Sequence, residues 1–285
     1  MKLCIGMPVY NGNNTIRASI KSILTQDFSD FELVISDNGS TDATLQAIDD
    51  AVSGDSRVRI LRQRHNLGAA VNFECVVRES ESTFFMWAAC DDLWSPDYLR
   101  KSLTILEQDM QAGFVMPSFK LQSRHLKISK RMDLTLFDFV ASEDRDARVL
   151  SFANLHPMSH KCNLVYSLFR REVIEHALDQ QDISDDGMLS LVLLSSARGS
   201  VLSGYRFRKC YPWLWPGAMR GVARLFGRGP DELASRRLIK DHYQRASDYL
   251  PEYQKEMGMI METMGPDSYG RRYNVLDPSE LGIKF

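Results

Sequence analysis

Phe31-Glu32-Leu33-Val34-Ile35-Ser36-Asp37-Asn38-Gly39-Ser40-Thr41-Asp42 is an apolar run that breaks into acids, amides and hydroxyls. It leads into a segment where Leu45, Ile48 and Val52 recur at helical spacing. The stretch reads as a strand, Phe31–Asp37, a short connection and an amphipathic helix, with Asp42 suited to cap that helix. Similar units flank it on both sides. Leu3–Val9, Val58–Arg62, Thr83–Ala88 and Phe114–Pro117 are further strand candidates. Ile16, Ile20, Ile23 and Leu24, and then Tyr98, Leu99, Leu103 and Leu106, mark helices. Strands alternating with helices through short connections predict an α/β fold, a mostly parallel sheet covered on both faces, for residues 1–118.

Beyond that point the regularity weakens. Residues 119–150 are polar and charged and read as a hairpin or variable loop. Asn163–Phe169 is a strand candidate running into a short helix at Arg170-Arg171-Glu172, and a helix is expected from Asp186 to Ala197. From Pro230 onward the chain is charged, helical over Asp231–Tyr249, and loop-like near Pro266 and Pro278. The expected division is 1–118, 119–229 and a helical extension at 230–285.

Bulk properties narrow the function. The 285 residues carry a formal net charge of −2, which supplies no global basic field to recruit nucleic acid. Five cysteines at wide, irregular spacing include no Cys-x-x-Cys pair, so reduced and mostly buried thiols are expected. The first residues lack the apolar core of a secretory signal, and Met188–Leu194 is far shorter than the roughly 20 residues that cross a bilayer. The expectation is a cytoplasmic protein without a transmembrane helix.

In an open α/β sheet, ligands bind outside the carboxyl ends of the strands. Three such ends carry distinctive groups: Pro8-Val9-Tyr10-Asn11, the acids and amides that begin at Asp37, and Asp91-Asp92. An aromatic ring can stack on a base, a lone carboxylate can accept its N–H edge, and an acidic pair can hold a hard cation on a diphosphate. Asp91-Asp92 also reads as a solvated turn whose acids favour the positive N-terminus of a following helix. Ser95 before Pro96 looks like that helix's N-cap, so the helix should start directly after the pair.

Pro8-Val9-Tyr10-Asn11, Ser22-Ile23-Leu24-Thr25-Gln26, the string Phe31–Asp42, Asn66-Leu67-Gly68 and Asp91-Asp92 together resemble glycosyltransferase family 2 in order and spacing. The resemblance covers roughly residues 2 to 110 and continues in patches at Asn163–Arg171 and Asp185–Leu189. It implies the GT-A fold and an inverting transfer of one sugar from a nucleoside-diphosphate sugar, with uridine as the favoured base, to an acceptor hydroxyl. Surface-polysaccharide or glycoconjugate synthesis is the setting that it suggests. By the same resemblance Pro8, Val9, Tyr10 and Asn11 line the nucleotide pocket, Asp37 pairs with the imide edge of uracil, and Arg64 lies near the base or phosphates. Asp91 would contact the ribose or donor sugar, and Asp92 would coordinate Mn2+ or Mg2+.

A carboxylate neutralised by a cation is a poor base, so a separate acid is needed to take the acceptor's proton. The family places that group at the start of a helix in its second half, where this chain has Asp185-Asp186, with Asp186 fitting better. Many members carry Glu-Asp there, which leaves the choice between the two open. Both acids could also simply cap the helix. His156 and His160 are four apart with Cys162 nearby, but Pro157 disfavours one helix presenting both, so no transition-metal site is expected.

Between Asp186 and Asp231 there is no acid, while Arg206, Arg208, Lys209, Arg220, Arg224 and Arg228 alternate with aromatics such as Trp213 and Trp215. This stretch, 206–228, reads equally as a peripheral contact with the inner membrane face, suited to a lipid-linked acceptor, or as a clamp over phosphates. A nucleotidyltransferase would need a Gly-rich basic loop after the first strand, and a dehydrogenase a Gly-x-Gly-x-x-Gly there. Neither is present. A non-catalytic sugar-nucleotide sensor is the remaining alternative, separable by turnover.

Overall fold

The structure, a computed structural model, describes residues 1–123, 129–131, 135–155, 161–180, 186–211 and 232–263. Its first half alternates β1 (Leu3–Val9), α1 (Ile16–Leu24), β2 (Phe31–Asp37), α2 (Thr44–Val52), β3 (Val58–Arg62), α3 (Ala69–Arg78) and β4 (Phe84–Trp87). Then come β5 (Leu93–Trp94), α4 (Tyr98–Gln108), β6 (Ala112–Ser123) and β7 (Ser129–Arg131). The second half adds α5 (Arg145–Asn154), β8 (Leu168–Arg170), α6 (Arg171–Gln180), α7 (Asp186–Ser196) and β9 (Arg198–Tyr211). Helices Glu232–Tyr249 and Gln254–Thr263 follow.

One nine-stranded sheet runs in the order β3-β2-β1-β4-β8-β6-β9-β5, with β7 paired to β6. The first four strands are mutually parallel, as are β6 and β9, while β8 runs antiparallel to both its neighbours. All seven residues of β1 are buried, as expected of a strand covered on both faces. Ile16, Ile20 and Ile23 of α1, and Leu99, Leu103 and Leu106 of α4, turn their spaced apolar faces into this core.

The topology positions the site. From β1 the chain adds β2 and β3 on one side and then crosses to place β4 on the other, so the crevice between the carboxyl ends of β1 and β4 is a topological switch point. Both strand ends carry the groups singled out from sequence.

Several elements differ from the sequence expectation. The helix expected directly after Asp92 begins instead at Tyr98, because Leu93–Trp94 is first recruited as β5 against Phe207 and Arg208. Ser95 donates its hydroxyl to Asp97, the residue that stands at the N-cap position. The Asn163–Phe169 strand shrinks to Leu168–Arg170, since Lys161–Tyr166 forms a 3-10 turn closed by Ser167 N–H and Oγ on the Leu164 carbonyl. Residues 119–150 do include the expected hairpin, β6 with β7, but also helix α5. That helix hides its inward face behind a charge. Arg148 is 6% exposed and donates to the carbonyls of Leu194, Ser142 and Glu143, so one buried position reads as polar.

Candidate active site

At the end of β1 the chain turns sharply. Asn11 adopts a left-handed conformation (φ 52°), which asparagine tolerates better than most residues, and its neighbours hold it there. Its N–H donates to Ser40 Oγ at 2.9 Å and its Oδ1 accepts from Thr41 N–H at 2.9 Å. Asp42 accepts from Thr44 N–H at 3.0 Å and from Asn13 N–H at 3.3 Å, so it caps the first turn of α2 and also fastens the loop after β1. Asn72 of α3, absent from the sequence expectation, is buried across the two strand ends, accepting from Ser36 Oγ at 2.6 Å and donating to the Ser36 and Val9 carbonyls. Val9 is thereby a buried support, and Tyr10 projects at 45% exposure.

Asp37 ends β2 at 1% exposure. Its Oδ2 accepts from Ser40 N–H at 3.2 Å, while its Oδ1 is buried with no hydrogen-bond partner among the described residues. Buried acceptors are rarely left so, and an orphaned one at a strand end marks a place where a ligand donor can complete the set. Arg64 stands exposed in the loop after β3, two residues beyond Arg62, which is the register partner of Asp37. The Asn38 side chain holds that loop through Asn66, Leu67 N–H and the Gly68 carbonyl.

The acidic pair is divided. Asp92, the expected metal ligand, is fully buried, and both its oxygens are engaged: Oδ2 by Lys209 Nζ at 2.8 Å and Oδ1 by Cys210 N–H at 2.9 Å. Burial pushes its carboxyl up to about 6, against the pull of Lys209. For Lys209, burial favours loss of the proton, but Tyr166, Asp92 and Asp91 outweigh it and hold the ammonium charged beyond the usual lysine range. Asp91, half-buried, is the carboxylate that lines the cleft.

That cleft, about 410 Å³, is walled by Pro8, Tyr10 and Asn11 from β1's end, Ala89 to Asp91 from β4's end, and Phe73 and Tyr166. A second cavity of about 280 Å³ adjoins it, walled by Ala69, Ala70, Trp87, Leu189 and Asp186, and again by Phe73 and Tyr166. Asp186 is the first residue of α7 and is exposed. Thus Pro8, Tyr10, Asn11 and Asp91 meet on one cavity, Asp186 stands on the next, and Asp37 and Arg64 stand at neighbouring strand ends. Asp185, His156 and His160 lie outside the described residues, as do 212–228 of the basic aromatic stretch; its first part, 206–211, belongs to β9.

No group of three or more His, Cys, Asp or Glu that could cage a metal occurs among the described residues. A hard cation on a diphosphate does not need one. It can take one or two protein carboxylates and draw its other ligands from phosphate and water, and Asp91 on the cleft wall fits that role. Phe73 and Tyr166 are the cleft residues that sequence reasoning missed; Lys209, read only as one cation of the basic stretch, instead pairs with Asp92 beneath the Tyr166 ring. The signal for Lys209 was its place in the acid-free stretch, where a buried cation must find its acid elsewhere.

Comparisons with known proteins agree with this architecture. Residues 4–178, more than half of the chain, match the model of glycosyl transferase family 2. A 100-residue segment is 30% identical to the Escherichia coli UDP-Glc:alpha-D-GlcNAc-diphosphoundecaprenol beta-1,3-glucosyltransferase WfgD, covering 35% of this chain and 39% of that protein. The chain spans less than half the length of the curated relatives that it matches. Among solved structures, S. aureus TarS 1-349 in complex with UDP-GlcNAc superposes with a TM-score of 0.57 at 16% identity, over 94% of this chain and 78% of that one. The mannosyltransferase PcManGT from Pyrobaculum calidifontis, in complex with GDP-Man and Mn2+, gives 0.55 at 16% identity, over 90% and 68%. Together with the mostly parallel sheet and its switch-point cleft, the match over 4–178 shows that this chain belongs to glycosyltransferase family 2 and has the GT-A fold.

Proposed function

We infer that the protein is an inverting glycosyltransferase that moves one sugar from a nucleoside-diphosphate sugar to an acceptor hydroxyl. The observation that carries this reading is the pair of adjoining cavities, one bearing Asp91 and the other Asp186, with Phe73 and Tyr166 common to both. Residues 1–118 bind the donor and 119–229 supply the acceptor side, with the helices Glu232–Tyr249 and Gln254–Thr263 packed on α7 and α5 respectively. Asp37 accepts the N–H of a uracil edge through Oδ1, Tyr10 covers the base and Arg64 lies over it or the phosphates. The structures of relatives bound to UDP-GlcNAc or GDP-Man support a nucleotide-sugar donor of this general kind.

Asp91, rather than Asp92, would hold Mn2+ or Mg2+, because Asp92 already neutralises Lys209. The cation, when bound, offsets charge on the leaving diphosphate. Asp186 accepts the proton of the acceptor hydroxyl as its oxygen attacks the anomeric carbon, and the bond to the diphosphate oxygen breaks on the opposite face. A base separate from the metal ligand suits this division of labour.

No helix among the described residues is long and apolar enough to cross a membrane. The acceptor is a saccharide, or a lipid-linked one presented at the cytoplasmic face of the membrane during polysaccharide assembly. Of the basic aromatic stretch 206–228, the part beyond β9 provides the peripheral contact, since 206–211 are taken up in the sheet. The E. coli relative, named for a diphosphoundecaprenol-linked acceptor, supports that choice.

A thermal-shift screen of nucleotide sugars, with and without Mn2+, tests the reading. A uridine-linked sugar should raise Tm in proportion to the logarithm of its concentration over its dissociation constant, and Asp91→Ala should abolish the Mn2+ increment. Turnover of that donor with a saccharide acceptor then separates an enzyme from a sensor. Absence of any nucleotide-sugar response would overturn the reading.

A further inference from the structure

Phe73 and Tyr166 are the two side chains shared by both cavities, and each is fixed from behind. The Phe73 carbonyl accepts the indole N–H of fully buried Trp87 at 3.0 Å, and the two rings lie 6.1 Å apart. Tyr166 is half-buried, with Phe207 5.7 Å from it by ring centroids and Lys209 Nζ 4.3 Å over its face. Lys209 is itself held by Asp92, whose other oxygen is tied to the backbone of β9 at Cys210. A cation over one face of a phenol ring is attractive, more so where water is excluded. One face of Tyr166 is therefore committed to the protein, and the ring still borders both cavities.

A reacting sugar must lie between the group that binds its diphosphate and the group that deprotonates its attacker. Here those are Asp91 and Asp186, and the walls that the two cavities share are aromatic. The C–H faces of a pyranose are apolar and suit such a surface, which polar side chains would not provide. We propose that Tyr166, with Phe73, is the platform that orients the transferred sugar, and that the buried Asp92–Lys209 pair is a positioning device that holds the Tyr166 ring in place. The second acid of the Asp91-Asp92 pair thereby acts on the sugar through Lys209 and the ring. This inference rests on the donor reading given above.

Calorimetric titration tests it by comparing the affinity for UDP alone with that for UDP-glucose and UDP-N-acetylglucosamine in the presence of Mn2+. The quantity read is the factor by which the sugar improves binding over UDP. Tyr166→Leu should cut this factor roughly three- to tenfold and leave the UDP affinity itself within about twofold, while Tyr166→Phe should restore it. Lys209→Met should lower the same factor, and Lys209→Arg, which keeps a cation over the ring, should recover it. If Tyr166→Leu leaves the sugar increment intact, or if Tyr166→Phe loses it as Leu does, the platform is wrong while the donor reading stands. If the wild-type protein binds neither UDP nor its sugars, both fail together.

Discussion

Lys209 Nζ sits 2.8 Å from Asp92 Oδ2, a buried ion pair joining residues 117 apart in sequence, with Asp92 fully shielded from water. Removing one partner of such a pair leaves an uncompensated charge in the interior. Lys209→Met should lower the unfolding free energy by about 3–5 kcal/mol in urea titration, and Asp92→Asn combined with it should recover part of that loss. An additive double mutant would show that the two charges do not stabilise one another.

Asp186→Asn should reduce kcat by roughly 10²–10⁴-fold, with affinity for the nucleotide sugar nearly unchanged. Single-turnover kinetics together with calorimetry check this. A parallel loss of donor binding would move Asp186 from proton transfer to donor recognition.

Asp37 Oδ1 is buried without a partner among the described residues, so a base N–H that meets it forms a charge-assisted hydrogen bond. Such bonds contribute about 1.5–3 kcal/mol, and Asp37→Ala should weaken UDP binding by roughly ten- to a hundredfold. A nucleotide of different hydrogen-bonding edge, such as CDP, should be much less affected by the substitution. Equal losses for both would remove base recognition as the role of Asp37.

Burial tends to raise the Asp97 carboxyl, but Lys101, the Ser95 hydroxyl and Arg206 outweigh it and hold the group at about 2, against 3.8 for a free aspartate. A depressed folded value means that its stabilising contribution is present above about pH 4 and is lost as pH falls towards 2. Acid unfolding followed by circular dichroism should therefore be shallower over that window in Asp97→Asn. An unchanged slope would mean that the ion pairs with Lys101 and Arg206, both 2.7 Å long, carry no net stability.

The first half of the fold is legible because its central strands are buried on both faces, the edge strand β3 being only partly covered. Leu3–Val9, Phe31–Asp37 and Val58–Arg62 occur with the very bounds that their apolar runs suggest. The second half resists reading wherever a charge occupies a buried position. Arg148 breaks the inward face of α5, and Lys209 with its basic neighbours disguises β9, whose pairing with β6 also slips register near Pro117. For the site, the strand-end groups were visible because topology gathers strand ends. The burial of Asp92 was not, because nothing local names a partner that arrives on a strand more than a hundred residues later.

The family match ends at residue 178, before β9. A fragment cut at that boundary would retain Asp91-Asp92 but lose the strand that shields and neutralises the second acid, which is also the parallel partner of β6. The Asp92–Lys209 pair is thus among the last features that the chain can assemble, since it waits on a long-range closure, and such closures slow folding. During synthesis the nucleotide half would stand ready with its central carboxylate still wet. The fixed setting of the Tyr166 ring should emerge only once the segment through Tyr211 has docked.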